Sequence, residues 1–127
     1  MENSTSLQLR EASLAELFWL HERIVEFPGK ASPSFYEERL RHRVSLALVA
    51  LWDGELAGFK VGYQSELPEQ FYSWMGGVLP EFRRKGIATA LAEEQERWAK
   101  EQGFRAVFFK TRNRFPAMIQ FGVKRGF

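Results

Sequence analysis

Six residues, Arg83-Arg84-Lys85-Gly86-Ile87-Ala88, follow an apolar, β-like run and lead directly into a helical pattern. The chain must therefore pass from strand to helix through a tight glycine turn that carries three cations. Lys and Arg are disfavoured at a helix start, because the unpaired N–H groups there already carry partial positive charge. An anion would offset them. A helix N-terminus with free amides is a ready phosphate site, and added cations strengthen it, so the stretch reads first as a phosphate cradle. Taken alone, the same cluster also reads as a solvated basic turn.

The 127 residues fit one domain, 1–127, and a hydrophobic content of 45% supports a real core. Twelve Phe and four Trp call for a compact aromatic core or an aromatic-lined pocket. With no cysteine and only His21 and His42, neither a disulfide framework nor a thiolate or zinc site is expected, and no metal is assigned. The opening MENSTSLQLR lacks the basic and apolar regions of a signal peptide. The longest apolar run, Leu46 to Trp52, is too short to span a bilayer, so a cytoplasmic protein with no membrane partner is expected. Charge is divided unevenly, with 7 basic against 11 acidic residues before Pro80 and 11 against 5 from Pro80 onward. The second half offers an anion-binding surface, and the first is free to meet something neutral or cationic.

Leu7 and Leu9 alternate with polar residues as a short strand does, and Ser13 with Glu16 forms a capping-box signature for a helix. Leu14, Leu17, Phe18, His21, Ile24 and Val25 share one face of it, and Phe27-Pro28-Gly29 ends it. A second, shorter helix is expected over Ser34 to Val44. Leu46 to Trp52 and Leu56 to Tyr63 are hairpin strands joined by Asp53-Gly54. Phe71 to Leu79 is a third strand, and its Gly76-Gly77 marks a bulge or the close approach of a backbone or ligand. Ile87, Ala90, Leu91, Glu94 and Trp98 define a helix to about Gln102, stopped by Gly103. Ala106 to Thr111 reads as a strand and Asn113 to Arg125 as a final helix, with Pro116 in its first turn and Ala117, Met118 and Phe121 on its apolar side. The order describes a mixed α/β domain with the cradle between a strand and the longest helix.

This pattern resembles the GNAT superfamily of acyl-CoA N-acyltransferases, whose phosphate motif is Arg or Gln, two residues, Gly, one residue, then Gly or Ala. Arg83 to Ala88 matches it throughout. Gly77-Val78-Leu79-Pro80-Glu81-Phe82 is similar to the family's fourth strand and its exit, and Lys124-Arg125-Gly126-Phe127 to its Lys-x-Gly-Phe ending. The resemblance implies a central, mostly antiparallel sheet with flanking helices, in which the fourth and fifth strands splay apart and the pantetheine arm of acetyl-CoA lies in the gap. It also implies that Val78 and Leu79 hold the pantetheine, that Arg83, Arg84, Lys85, Gly86, Ile87 and Ala88 hold the pyrophosphate, and that Asn113 contacts the cofactor arm. A backbone amide of Gly77 or Val78 aimed at the thioester carbonyl would stabilise the oxyanion. Neither a Walker loop nor a dinucleotide fingerprint is present.

The family reaction is direct attack of a neutral amine on the acetyl thioester, so an alkylammonium of pKa ~10 must first lose a proton. In histone-type relatives a Glu on the fourth strand does this. Here the matching residue is Tyr72, which also reads as an aromatic packing residue, and Glu22, Glu26, Glu66 and Glu69 are the carboxylates that could approach the acceptor. The family's tyrosine acid is replaced by Gly122. General acid catalysis is worth roughly 10²- to 10⁴-fold, and a thiol of pKa ~8.5 leaves tolerably without it. Relatives continue past Gly-Phe with two further strands. This sequence has neither, which reads as a short form, a fragment or a sheet completed by a partner, and an uncovered edge predicts a homodimer or larger assembly.

The resemblance thus implies an acetyl-CoA-dependent N-acetyltransferase acting on a small-molecule or peptide amine. A degenerate member that binds acyl-CoA as a sensor or structural subunit is the main alternative. A nucleic-acid-binding domain would use the basic second half, but no nucleic-acid signature accompanies the charge.

Overall fold

The computed structural model describes residues 6–24, 33–110 and 116–120. Strand β1 (Leu7–Glu11) precedes helices α1 (Leu14–Arg23) and α2 (Pro33–Leu40). Strands β2 (Ser45–Trp52), β3 (Glu55–Gln64) and β4 (Gln70–Val78) follow. A single 3-10 turn (Pro80–Phe82) then leads to α3 (Ile87–Glu101), β5 (Ala106–Lys110) and β6 (Pro116–Gln120). The strands form one sheet in chain order, antiparallel throughout except for the parallel pair β4–β5. The expected mixed α/β fold with its mostly antiparallel sheet is therefore the one adopted.

Local chemistry explains most of the boundaries. The Glu16 amide donates to Ser13 Oγ (3.1 Å) and the Ser13 amide to Glu16 Oε1 (2.9 Å), closing the capping box at the start of α1. Arg10 holds the same carboxylate at 2.7 Å, and mainly for that reason the Glu16 pKa is lowered to about 2. Asp53 and Gly54 both take positive φ (50° and 86°), as a two-residue hairpin turn requires. The second helix stops at Leu40, short of the Val44 expected, because His42 turns left-handed (φ 61°) and the Arg43 amide folds back onto the Leu40 carbonyl.

The larger correction lies at the end. Residues 116–120 form a strand antiparallel to β5, where periodicity pointed to a helix over Asn113 to Arg125. Five backbone pairings with β5 satisfy an edge that a helix would leave open, and proline is tolerated as the first residue of a strand. Val25 to Gly29, Asn113 and Gly122 lie outside the described residues.

Each face of the sheet has its own core. Under α3, Leu48, Ala57, Phe71 and Val78 meet Ile87 and Leu91. On the opposite face Val49, Phe59 and Val61 pack against Leu17 and Leu20 of α1 and Tyr36 of α2. Among the described residues, no helix is long and apolar enough to cross a membrane.

Candidate functional site

Strands β4 and β5 pair over three steps only, Gln70↔Ala106, Phe71↔Val107 and Tyr72↔Phe108. Just beyond, β4 carries an extra residue: Val61 opposes Met75 while Gly62 opposes Ser73, leaving Trp74 as a bulge. A bulge bends its strand, and this one turns β4 away from its neighbour where the ladder ends. Gly62 makes it possible, since a Cβ there would lie 2.6 Å from the Tyr72 carbonyl and against the Phe71 ring. Of the two readings of Gly76-Gly77, a bulge or a close approach, the second holds at Gly76, where the Phe59 carbonyl lies 3.2 Å from the Cβ position, while the bulge itself is at Trp74.

The parted strands border a cavity of about 830 Å³. Ser73 through Val78 line one side, Val107 and Phe109 the other, and Ile87, Leu91 and Gln95 of α3 close it from below. Its mouth carries Arg83, Arg84, Gly86 and Ala88. Arg84 (φ 65°) and Gly86 (φ 80°) are both left-handed, so the chain turns twice within three residues before α3 begins. The first helical bond runs from the Ala90 amide to the Gly86 carbonyl (3.0 Å), and no side chain caps Gly86. The amides of Ile87, Ala88 and Thr89 therefore precede the first helical bond, at the positive end of the helix dipole. An open strand edge continuous with an uncapped, cationic helix start suits a ligand with an extended, peptide-like arm and a phosphate end.

The predicted residues divide unevenly. Gly77, Val78, Arg83, Arg84, Gly86, Ile87 and Ala88 all line the cavity. Leu79 does not: it is 4% exposed in the α1 core, its amide donates to the Ala57 carbonyl (2.8 Å), and its carbonyl accepts from Phe82. Lys85 turns outward, with Nζ 5.3 Å from the Trp52 ring centroid. Arg83 Nε donates to the Val78 carbonyl (2.9 Å), so this side chain braces the end of β4 as well as bordering the mouth. Tyr72 stands at the fork, its ring stacked on Phe108 (4.9 Å, 19°) and edge-on to Tyr63, outside the cavity lining. Burial, reinforced by Tyr63, raises its pKa, so the phenol stays neutral. Glu22, Glu66 and Glu69 are exposed and line no part of the cavity.

Several residues escaped the sequence reading. Lys60 of β3 and Gln95 and Glu96 of α3 give the cavity a polar wall. Gln95 is 1% exposed, and its Nε2 has no hydrogen-bond partner among the described residues. Burial lowers the Lys60 pKa, with Glu96 opposing the shift. Both residues left a signal. Lys60 interrupts an apolar strand, and Gln95 sits at i+4 in the buried stripe Ile87, Leu91, Gln95, Ala99. On the α1 side, His21 Nδ1 lies 2.6 Å from the Tyr36 hydroxyl, and Tyr36 meets Trp74 edge-on at 5.4 Å. His21 is thus a hydrogen-bonded core residue that supports the bulge tryptophan, and burial lowers its pKa. No group of His, Asp and Glu that could hold a metal ion occurs among the described residues.

The profile of the acetyltransferase (GNAT) family matches residues 11–127. The chain belongs to the GNAT acetyltransferase family. Solved members share its fold at low identity. A GNAT family acetyltransferase from Brucella melitensis in complex with acetyl-CoA is 20% identical with a TM-score of 0.73, over 92% of this chain and 89% of that one. The ribosomal-protein-S18-alanine N-acetyltransferase from Escherichia coli is 17% identical with a TM-score of 0.72, over 84% and 68%. The diaminobutyrate acetyltransferase EctA from Paenibacillus lautus, solved with L-2,4-diaminobutyric acid and coenzyme A, is 20% identical with a TM-score of 0.67, over 85% and 67%. The fork between β4 and β5 and the glycine turn before α3 are thus features of a GNAT fold with acetyl-CoA as the family's co-substrate.

Proposed function

We propose that this GNAT protein transfers the acetyl group of acetyl-CoA to a primary amine, of a small molecule or a peptide, by direct attack of the amine on the thioester. The observation that carries this reading is the end of β4–β5 pairing at Tyr72↔Phe108, which opens the β4 edge into a cavity running to the uncapped start of α3. The pyrophosphate lies on the amides of Ile87 and Ala88 beside Arg84, with Arg83, Lys85 and Gly86 shaping the turn. The pantetheine arm follows β4 past Val78. An amide of Gly77 or Val78 faces the thioester oxygen, where charge develops as the amine adds. The carbon–nitrogen bond forms, the carbon–sulfur bond breaks, and the proton shed by the amine balances the one taken up by the thiolate.

Acetyl-CoA is titrated by calorimetry, and thiol release is then followed across a panel of primary amines. Saturable binding with amine-dependent release is expected, and absence of acetyl-CoA binding overturns the reading. A second reading, acyl-CoA binding without turnover, is favoured by Tyr72: its raised pKa and its stacking on Phe108 leave no base at the position where some relatives carry a Glu. Binding without release from any amine would select it.

A further inference from the structure

The cavity's polar wall has no role in the chemistry above. We propose that Lys60 Nζ and Gln95 Nε2 add two side-chain donors, placed beneath β4 beside Gly76, to the backbone amide that faces the thioester carbonyl oxygen of the bound acyl-CoA. This inference rests on the acetyl-CoA reading of the cavity.

Three observations place the site. Lys60 pairs directly with Gly76, so their side-chain positions share one face of the sheet. A Cβ on Gly76 would stand 3.5 Å from Lys60 Cγ and 3.6 Å from Nζ, ordinary contact distances, so the lysine side chain runs alongside that position on the same face of β4. It thereby crosses under β4 and joins the cavity lining. Gln95 is eight residues into α3 from Ile87, about 12 Å along the axis at 1.5 Å per residue. That is the direction from the phosphate end toward the acyl end of an arm lying on β4. Its donor is buried and unanswered among the described residues, and a buried N–H without an acceptor is costly to keep. A carbonyl oxygen supplies the missing acceptor.

The chemistry fits the location. As the amine adds, the carbonyl π pair moves onto oxygen, and an ammonium with an amide N–H facing that oxygen favours the change more than they favour the resting ester. When the carbonyl re-forms, the carbon–sulfur bond breaks with its pair on sulfur, and both donors return to a neutral oxygen. The groups facing Lys60 from its neighbours are Leu48 of β2, Gly76 of β4 and Glu96 of α3. Only Glu96 among them is charged, and it forms no ion pair with Lys60 among the described residues.

The test compares acetyl-CoA with ethyl-CoA, a thioether that lacks the carbonyl oxygen, by calorimetry on the wild-type protein and on Lys60→Met and Gln95→Leu. The wild type is expected to prefer acetyl-CoA. Lys60→Met should lower that preference about tenfold, the size of one charge-assisted hydrogen bond, and Gln95→Leu about threefold. Ethyl-CoA affinity should stay within about threefold in both variants, a result that also shows the cavity intact. Retention of the wild-type preference by both variants overturns the proposal, as does equal weakening of both ligands in Gln95→Leu. A wild-type protein that binds neither ligand refutes the underlying reading of the cavity.

Discussion

Replacing Gln95 by Leu should make the ligand-free protein more stable while weakening its grip on the acyl thioester. The side chain is 1% exposed, its Nε2 has no partner among the described residues, and Leu91 and Ile87 sit one and two turns away on the same stripe. Leaving a buried donor unsatisfied costs about 1–3 kcal/mol, and leucine removes that cost at similar volume. For a chain of 127 residues the unfolding entropy near 60 °C is about 0.27 kcal/mol/K. A gain of about 1–3 kcal/mol therefore raises Tm by about 4–11 °C. Urea unfolding and thermal melts without ligand measure the gain. Repeating them with saturating acetyl-CoA should shrink it, because the wild type recovers a hydrogen bond on binding that the variant cannot. A Gln95→Leu protein less stable than wild type by more than about 1 kcal/mol would refute the reasoning, since it would mean that the amide is satisfied in the folded state.

Arg84→Gly should stabilise the fold by about 1 kcal/mol, because glycine accepts φ 65° without strain, and should weaken acetyl-CoA binding with a shallower dependence on salt. Calorimetry at low and high NaCl checks this, and unchanged affinity removes Arg84 from the cradle. Gly62→Ala should cost about 1–3 kcal/mol in urea unfolding, since its Cβ would meet the Tyr72 carbonyl at 2.6 Å and a fully buried Phe71 ring; a loss under about 0.5 kcal/mol would show that the bulge relaxes freely. His21 has a folded pKa lowered by burial from its ordinary 6.5. It therefore favours the fold fully above about pH 6.5, and this contribution is lost as pH falls through the lower folded value. The urea midpoint of the wild type should drop between pH 7 and 5 more steeply than that of His21→Gln, and equal slopes would exclude His21 as the source.

The legible parts of this molecule are those whose cause is local. Ser13 and Glu16 make a capping box whatever surrounds them, Asp53-Gly54 can only turn tightly, and Gly86 before an apolar helical stripe announces the glycine turn into α3. What stayed hidden depends on pairing between distant residues. Trp74 becomes a bulge only because Gly62, twelve residues earlier, accepts the crowding of Phe71 and Tyr72. Residues 116–120 carry helical spacing, yet the edge of β5 draws them into a strand. Leu79 falls within the motif's own exit, but its amide donates to the Ala57 carbonyl and its carbonyl accepts from Phe82, a pairing that no local pattern announces. Lys60 and Gln95 mark the boundary between the two kinds of information. Each breaks an apolar pattern visible in the sequence, but a break says only that something polar must be answered. The register that sets Lys60 beside Gly76, and the helix turn that brings Gln95 to the same cavity, turn two unrelated exceptions into one polar wall. A fold that keeps the Gln95 amide buried and unanswered gives up stability in the empty state, and that cost is recovered when a ligand oxygen arrives.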